Sequence, residues 1–393
     1  MIQRVVIFGG HIQALGLARQ VKAKGLEVVL IVEDKYQVAR FSRAVSRTIV
    51  APIGNWSLVI GDLELPNKGT LLFPTNDEAV EMLCGRYEEY KERFALGVPE
   101  PKVIELFNDK RRAYRFAEAS GVHCPKCWYP DTMEDVEALS KELPYPVVVK
   151  PAVMYSFHAT FGKKAFRCDD AASLKATYTR IAAKQYPLET LVVQEFLDGG
   201  AKNLYSCGVM AAGGEIVVSM QANRIRQNPM DFGNSTTYAI SCFVPQIQEQ
   251  TEALLRMTNY SGVGEVEWMW DAKAQQYKFL EINTRAWKWH TISNQLNFSF
   301  IGELINSIDI EDCRSKIGDL KENIHAEEKQ VAWCERLTDF TVAAKEILHH
   351  RMRLSDVIKS YCIKHESAVW SWRDPLPAIM YILLSPVLYI KRH

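Results

Sequence analysis

The chain has 393 residues, 48% hydrophobic and 24% charged, which is typical of a globular protein that folds as two or three packed units. Basic and acidic residues both total 47, so the formal net charge is zero and no basic excess indicates a nucleic-acid partner. Nine scattered cysteines favour reduced thiols in the cytoplasm, and the amino terminus begins directly as a strand, without the pattern of a secretory signal.

Residues 1–105 predict a small parallel α/β domain. Val5–Phe8 and Val28–Val32 are continuous apolar runs, as expected for strands that are covered on both faces. The segment between them predicts a helix that ends near Gly25. Its apolar stripe consists of Ala14, Leu17, Ala18 and Val21.

The turn after the first strand raises the question of a dinucleotide site. Counting from Gly9, the G-x-G-x-x-G/A pattern requires a glycine where His11 stands, and an imidazole there obstructs the approach of a pyrophosphate. An NAD-dependent oxidoreductase therefore remains only a third hypothesis, which a fluorescence titration with NADH would test. The same glycines also suit a plain turn between a strand and a helix.

Residues 106–310 predict an α+β unit with two subdomains, at about 106–194 and 195–310. A helix near 109–120 is followed by the strand "YPVVVKP", and the later strands are joined by short polar or glycine turns typical of antiparallel pairs. Residues 311–393 form a C-terminal extension whose pattern is mixed.

The segment "GEVEWMWDAKAQQYKFLEIN" predicts a hairpin that gathers oxygen ligands. Alternate residues of a strand share a face, so Glu281 and Asn283 point the same way, as do Glu265 and Glu267. If the register places Glu267 opposite Glu281, two carboxylates and an amide oxygen converge in a set that suits Mg²⁺. A solvated hairpin face that carries charge is the alternative.

Two lysines and one strand end add a nucleotide-binding pattern. Lys150 ends the strand "PVVVK" and Lys110 begins a helix, positions that suit either phosphate binding or simple exposure to solvent. The strand "VVQEFLDGG" loses its pattern at Leu197, which leaves backbone groups that can bind adenine. Glu195 or Asn203 could reach the edges of adenine or ribose, although a strand that ends in a Gly-Gly turn explains the same letters.

Taken together and in this order, four segments resemble the ATP-grasp superfamily, most closely its carboxylate–amine ligase, or carboligase, branch, which includes the D-aspartate ligases. They are "NDKRRAYRFAEASGVHCPK", "YPVVVKPA", "VVQEFLDGG" and "GEVEWMWD…YKFLEINTRAW". The resemblance covers 107–310, and the preceding domain resembles the small α/β domain that commonly precedes ATP-grasp. It implies a two-subdomain ATP-grasp fold, with ATP and Mg²⁺, or Mn²⁺, as cofactors.

The resemblance also implies an activity and a set of site residues. The activity is ATP-dependent C–N ligation, in which a small-molecule carboxylate becomes an acyl phosphate that an amine attacks, with release of ADP and phosphate. The implied residues are Lys110 and Lys150 at the ATP phosphates, Glu195, Phe196 and Leu197 at adenine, Asn203 at ribose, Glu267, Glu281 and Asn283 at Mg²⁺, and Arg285 at the transferring phosphoryl group. Two departures are Asn203, where many relatives have an acid, and the glycine-poor stretch 154–166.

Other residues near these motifs have less certain roles on sequence alone. Arg224 and Arg226 could fork onto the carboxylate or its phosphate, or could be a pair of solvated arginines. Trp287, Trp289 and His290 could line the acceptor pocket, with His290 as a base, or belong to the core.

Two questions of function and attachment stay open. A non-catalytic ATP-binding regulatory module on the same fold is the main alternative to a ligase, although the intact metal-site residues and Arg285 weigh against it. The apolar tail 378–390 is too short to span a bilayer and is interrupted by Pro386. It either packs on the body or makes peripheral membrane contact, with Trp370 and Trp372 at the interface.

Overall fold

The computed structural model describes residues 1–62, 69–230, 233, 235–309 and 330–392. In this part of the chain the strands form three sheets, one of them parallel and two mainly antiparallel. The predicted fold class is therefore confirmed: a parallel α/β domain precedes an α+β unit. Residues 311–329 of the predicted extension lie outside the described residues.

The first domain is a parallel sheet between helices. Its strands are β1 (Arg4–Phe8), β2 (Glu27–Val32), β3 (Arg47–Val50), β4 (Thr70–Pro74) and β5 (Ala95–Leu96), in the order β3-β2-β1-β4-β5. Its helices are α1 (Ile12–Ala23), α2 (Trp56–Asp62), α3 (Asp77–Gly85) and α4 (Tyr87–Arg93), with short 3₁₀ helices at Val38–Phe41 and Ile53–Asn55. After their first residues, Arg4, Glu27 and Thr70, the central strands β1, β2 and β4 are apolar and buried, as expected for strands that are covered on both faces.

The next unit contains the smaller antiparallel sheet. Helices α5 (Pro101–Asn108) and α6 (Lys110–Ala119) lead into β6 (Cys127–Trp128), β7 (Val147–Pro151), β8 (Phe166–Cys168) and β9 (Leu191–Glu195), in the order β6-β9-β7-β8. The accompanying helices are α7 (Met133–Leu139), α8 (Met154–Phe161) and α9 (Ala171–Ala182), with 3₁₀ turns at Leu188–Thr190 and Gly200–Asn203. The predicted helix near 109–120 begins where it does because the Asp109 side chain accepts hydrogen bonds from two backbone N–H groups of its first turn.

The larger sheet extends from the second unit into the C-terminal extension. Its strands are β10 (Leu204–Ala212), β11 (Glu215–Asn228), β12 (Ser235–Cys242), β13 (Gly262–Asp271), β14 (Gln276–Asn283), β15 (Ala332–Cys334) and β16 (His365–Ser367), in the order β14-β13-β10-β11-β12-β15-β16. Its helices are α10 (Pro245–Thr258), α11 (Phe300–Asp309), α12 (Arg336–Leu348), α13 (Leu354–Cys362) and α14 (Leu376–Arg392), with a 3₁₀ segment at His290–Leu296. The extension is thus continuous with this sheet through β15.

Helix α14 closes the chain back onto the first domain. It packs against the short helix Val38–Phe41, and the Asp374 carboxylate just before it accepts hydrogen bonds from Arg19 and Ser42. None of the helices in the described ranges has the length and hydropathy that crossing a bilayer would require.

Candidate active site

The hairpin of β13 and β14 brings the predicted oxygen ligands together. Its register pairs Glu267 with Glu281 and Glu265 with Asn283, so all four side chains lie on one face. The Asn283 amide Nδ2 donates to Glu265 Oε2 at 3.3 Å and to Glu267 Oε1 at 3.1 Å. The register expected for this hairpin is therefore confirmed, and the amide oxygen of Asn283 stays available for a ligand.

The carboxylates of this face differ in charge state because their surroundings differ. Burial, followed by the nearby Glu267, raises the pKa of Glu265 to about 7, and Trp289 Nε1 donates to Glu265 Oε1 at 2.9 Å. Lys110 has the opposite effect on Glu281 and lowers its pKa to about 2. Glu281 is therefore a fixed negative charge at neutral pH, as a cation ligand has to be.

Lys110 and Lys150 reach this face from two other elements. The backbone N–H of Lys110 donates to Ala152 O at 3.1 Å, which ties the start of α6 to the end of β7. Lys110 Nζ lies 2.9 Å from Glu281 Oε2, and Lys150 Nζ donates to Tyr114 Oη at 2.7 Å. Burial and the positive charge of Lys110 lower the pKa of Lys150 to about 8.

A third lysine, Lys164, joins this group although the sequence did not single it out. Burial lowers its pKa, while the carboxylates of Glu281 and Glu267 oppose that shift, which places Lys164 within their field. Lys164 belongs to the run Gly162-Lys163-Lys164 in the glycine-poor stretch 154–166. Because two adjacent lysines on a loop are commonly solvated, this run alone did not indicate a site residue.

Arg224 and Arg226 diverge although they lie two residues apart. Arg224 is buried, with Nη1 2.7 Å from Glu267 Oε1, and its Nε finds no hydrogen-bond acceptor among the described residues. Arg226 instead forks onto Asp339, with Nε–Oδ1 and Nη2–Oδ2 both at 2.8 Å. The catalytic role predicted for Arg226 therefore conflicts with its position, and we correct it to a structural contact with the extension.

The predicted adenine strand is partly occupied by the protein's own contacts. Glu195 Oε1 accepts from the Lys126 backbone N–H at 2.8 Å and from Lys278 Nζ, so its carboxylate is held away from a base. The Phe196 N–H donates to Pro146 O at 3.2 Å. Leu197 is buried, and its N–H has no acceptor among the described residues. Of the three residues predicted at adenine, Leu197 thus keeps a free backbone donor, while the side-chain role of Glu195 and the N–H role of Phe196 need correction.

The side chains of Asn203 and Arg285 also contact other groups of the protein. Asn203, the residue predicted at ribose, donates from Nδ2 to Asp198 O at 3.1 Å across the Gly-Gly turn, which uses one of its two amide N–H donors. Arg285 forks onto Asp77 of the first domain, with Nε–Oδ1 at 2.5 Å and Nη2–Oδ2 at 3.3 Å. The sequence did not indicate Asp77, because 208 residues separate it from its partner.

The aromatic segment after Arg285 belongs to the core. Trp287, Trp289 and His290 are all at most 2% exposed, so they do not line an acceptor pocket. The His290 Nε2 atom lies 3.1 Å from Gln13 O, and burial lowers the pKa of its imidazole to about 4. His290 therefore joins α1 to this segment instead of facing the amine.

The donor set fits a cation that arrives with a nucleotide. Within the described residues, no three His, Cys, Asp or Glu side chains are grouped as a standing metal site. Glu267, Glu281 and Asn283 supply two carboxylates and an amide oxygen, and the two carboxylates are paired with Arg224 and Lys110. Mg²⁺ is commonly bound by one or two carboxylates together with phosphate oxygens and water, a requirement that this set meets.

Comparison with known proteins agrees with this geometry. Residues 109–297 match the family described as carbamoyl-phosphate synthase L chain, ATP binding domain. Formate-dependent phosphoribosylglycinamide formyltransferase of Wolinella succinogenes is 22% identical over 228 residues. The match includes 54% of this chain and 57% of that protein, so the chain spans little more than half the length of this curated relative.

Solved structures resemble a larger share of the chain. The biotin carboxylase domain of Hydrogenobacter thermophilus 2-oxoglutarate carboxylase, in complex with MgADP, ADP and bicarbonate, is 18% identical, with a TM-score of 0.62 over 80% of this chain and 71% of that one. N5-carboxyaminoimidazole synthetase from Staphylococcus aureus is 14% identical, with a TM-score of 0.59 over 78% and 77%. The chain therefore has the ATP-grasp fold, with a small parallel α/β domain ahead of its ATP-binding part.

Proposed function

We propose that this protein is an ATP- and Mg²⁺-dependent ligase that joins a small-molecule carboxylate to an amine and releases ADP and phosphate. One observation carries the proposal. Lys110 of α6 contacts Glu281 of the oxygen-rich face, and Lys150 of β7 and Arg285, two residues after β14, lie close enough to feel its charge. Such a group of cations beside carboxylates suits the transfer of a phosphoryl group by positioning and charge neutralisation.

The reaction proceeds through an acyl phosphate. A carboxylate is a poor electrophile, so one of its oxygens first attacks the γ-phosphorus of ATP and ADP leaves. The amine nitrogen then attacks the acyl carbon, the C–O bond to phosphate breaks, and the nitrogen loses a proton as the amide forms. Catalysis consists mainly of positioning and charge neutralisation.

Each cation has a defined task in this sequence. Lys110 and Lys150 hold the phosphates, and Lys110 exchanges its contact with Glu281 for a phosphate oxygen. Mg²⁺, when bound through Glu267, Glu281 and Asn283, would neutralise charge on the β- and γ-phosphates. The Leu197 N–H provides a donor for adenine, and Arg285 forks onto the phosphoryl group in transit.

Two lines of support favour ligation of this kind. The relatives named above include a formate-dependent formyltransferase and a carboxylase structure that contains bicarbonate and MgADP. The four sequence segments favour the carboligase branch with the D-aspartate ligases, so an amino acid is the first carboxylate to test. The retained Glu267, Glu281, Asn283 and Arg285 distinguish this proposal from a non-catalytic ATP-binding module.

A screen for ADP release tests the proposal. We expect release to require one pool of carboxylates and one pool of amines together, and Lys150→Met to reduce it about a hundredfold because a phosphate contact is lost. Lys184→Met, at an exposed position on the same subdomain, is the matched control and should leave turnover unchanged. ATP binding without ADP release across all pools would instead indicate a regulatory module.

We also propose that α14 makes peripheral contact with an anionic membrane. Its inner side packs on the body, where Ala378 is buried and Tyr381 Oη donates to Glu335. No charged residue occurs between Asp374 and Lys391, so the outward side is apolar as well. The exposed residues of this side are Leu376, Ile379, Ile382, Leu383 and Val387, and Trp370 and Trp372 are exposed just before the helix.

The composition of this surface favours lipid as its occupant. Exposed tryptophans suit the membrane interface, and the chain continues from the apolar side into Lys391, Arg392 and His393, a basic end that complements anionic headgroups. A helix already held by the body on one side can lie in the interface plane without leaving the fold.

Vesicle sedimentation checks this contact. The double variant Ile382→Ser/Leu383→Ser should weaken binding to phosphatidylserine-containing vesicles at least about tenfold, because two apolar side chains no longer insert. Leu348→Ser, which alters an equally exposed leucine on α12, is the control. If the wild-type protein ignores vesicles and instead dimerises through this side, a second copy covers it and the membrane proposal is wrong.

A further inference from the structure

The ion pair between Asp77 and Arg285 uses the whole fork of the arginine. Besides its two contacts with Asp77, the guanidinium has Nη1 at 3.4 Å from Ala286 O. Arg285 is mostly covered, with 19% of its side chain exposed, whereas Asp77 is 72% exposed. A carboxylate of the protein itself, that of Asp77, thus binds the Arg285 guanidinium, whose N–H donors match phosphate and carboxylate groups in shape and charge.

The position of Asp77 is tightly set by the glycine turn of the first domain. Gly9 has a φ of +96°, and a Cβ atom there would lie 2.3 Å from Thr75 Oγ1. Thr75 Oγ1 donates to Phe8 O at 2.6 Å, and Asn76 caps α3 directly before Asp77. The turn that first suggested a dinucleotide therefore holds the segment that presents Asp77 to the site.

The negative charge of Asp77 already affects the pKa of Lys110. Burial disfavours the charged form of Lys110, but carboxylates led by Glu281 and including Asp77 hold its pKa above the ordinary value. Among the described residues, Arg285 is the cation that forms an ion pair with Asp77. When an anion binds Arg285 and displaces Asp77 from it, Asp77 becomes an exposed negative charge at the edge of the site.

An acyl phosphate is the anion expected to take the fork. It carries more charge than one carboxylate, and an ion pair with so exposed a partner is weak, so exchange is favourable. Asp77 then needs a cation, and the amine arrives as one, because aliphatic amines are protonated at neutral pH; the bound ammonium loses one proton to solvent before its nitrogen attacks the acyl carbon. The exchange replaces one ion pair by two.

We propose that Asp77 binds the ammonium group of the amine substrate after the acyl phosphate has displaced it from Arg285. The inference rests on the proposed ligase function and assigns a substrate class to it: aliphatic amines and amino acids, whose amino groups are protonated at neutral pH, and not aromatic amines, whose amino groups are neutral. It also predicts an order, in which the amine binds productively only once the carboxylate has been activated.

Hydroxylamine separates the two halves of the reaction, because it is uncharged at neutral pH and captures acyl phosphates without an ammonium site. Asp77→Asn should raise the KM for the amine about tenfold to a hundredfold, the effect of losing a charged hydrogen bond. Hydroxamate formation, with the carboxylate pool that supports ADP release, should stay within about twofold of wild type. Glu78→Gln, the neighbouring acid on α3, is the control and should change neither value.

Three other results would overturn the inference. Equal loss of hydroxamate and amide in Asp77→Asn would mean that Asp77 only orients Arg285. Equal gain of both would mean that Asp77 merely competes with the substrate for the fork. If the wild-type protein forms neither hydroxamate nor amide with any carboxylate, the proposed ligase function itself is wrong. This result does not depend on the Asp77→Asn variant, so the two failures can be told apart.

Discussion

Glu281→Gln is expected to reduce ADP release about 10²–10³-fold, the size of effect seen when one charged group at a reacting centre is lost. Glutamine keeps the shape of the side chain and removes its charge. Glu281 is the anion that Lys110 contacts and an expected ligand of nucleotide-borne Mg²⁺, so the change disturbs both phosphate positioning and cation binding. Initial rates of ADP release with saturating carboxylate and amine provide the measurement.

Two further measurements make this result specific. Glu249→Gln, an exposed acid on α10, should keep the wild-type rate. Titration with MgADP should show weaker binding for Glu281→Gln, and the loss of affinity should be smaller when ADP is titrated without the cation. A variant that turns over normally would show that the face of β13 and β14 is not the metal-binding face.

Arg226→Met is expected to lower the free energy of unfolding by about 3–5 kcal/mol, because it leaves the Asp339 charge buried without its partner. The side chains of both residues are at most 2% exposed. Asp339 also accepts hydrogen bonds from Thr237 and Tyr361, so the pair joins β11 and β12 to the helices of the extension. Urea denaturation, monitored by tryptophan fluorescence, measures the change.

This prediction separates a structural arginine from a catalytic one. The kcat of the folded fraction of Arg226→Met should remain near that of wild type, whereas Arg224→Met, next to Glu267, should lower kcat. Replacing both members, as Arg226→Met/Asp339→Leu, should restore part of the stability, since no buried charge is then left alone. A large fall in kcat with unchanged stability would restore the catalytic role first predicted for Arg226.

Local spacing accounts for the part of the predicted arrangement of side chains that the structure also has. Alternation along a strand places Glu281 and Asn283 on one face whatever surrounds them, and a short polar loop brings Glu265 and Glu267 alongside. The end of an apolar strand likewise places Lys150 at a sheet edge. Such placements of side chains depend on a few neighbouring residues, so the amino-acid sequence alone predicts them.

The errors arise where partners are distant in the chain. Arg224 and Arg226 have the same local pattern, yet one meets Glu267 and the other meets Asp339, which lies 113 residues further along. Glu195 is held by an ion pair with Lys278, which lies 83 residues further along the chain and in the other antiparallel sheet. The role of an ionisable side chain depends on the charged group that it contacts. The packing of whole helices and strands determines which group that is.

For this protein, the sequence alone determined the parallel first domain and the oxygen-rich hairpin, because alternation, strand ends and turn residues act over short range. Only the tertiary structure decided which carboxylate each cation meets. It placed Asp77 on Arg285, removed Arg226 from the site and buried His290, because long-range contacts form only when the first domain, the ATP-grasp sheets and the extension pack together.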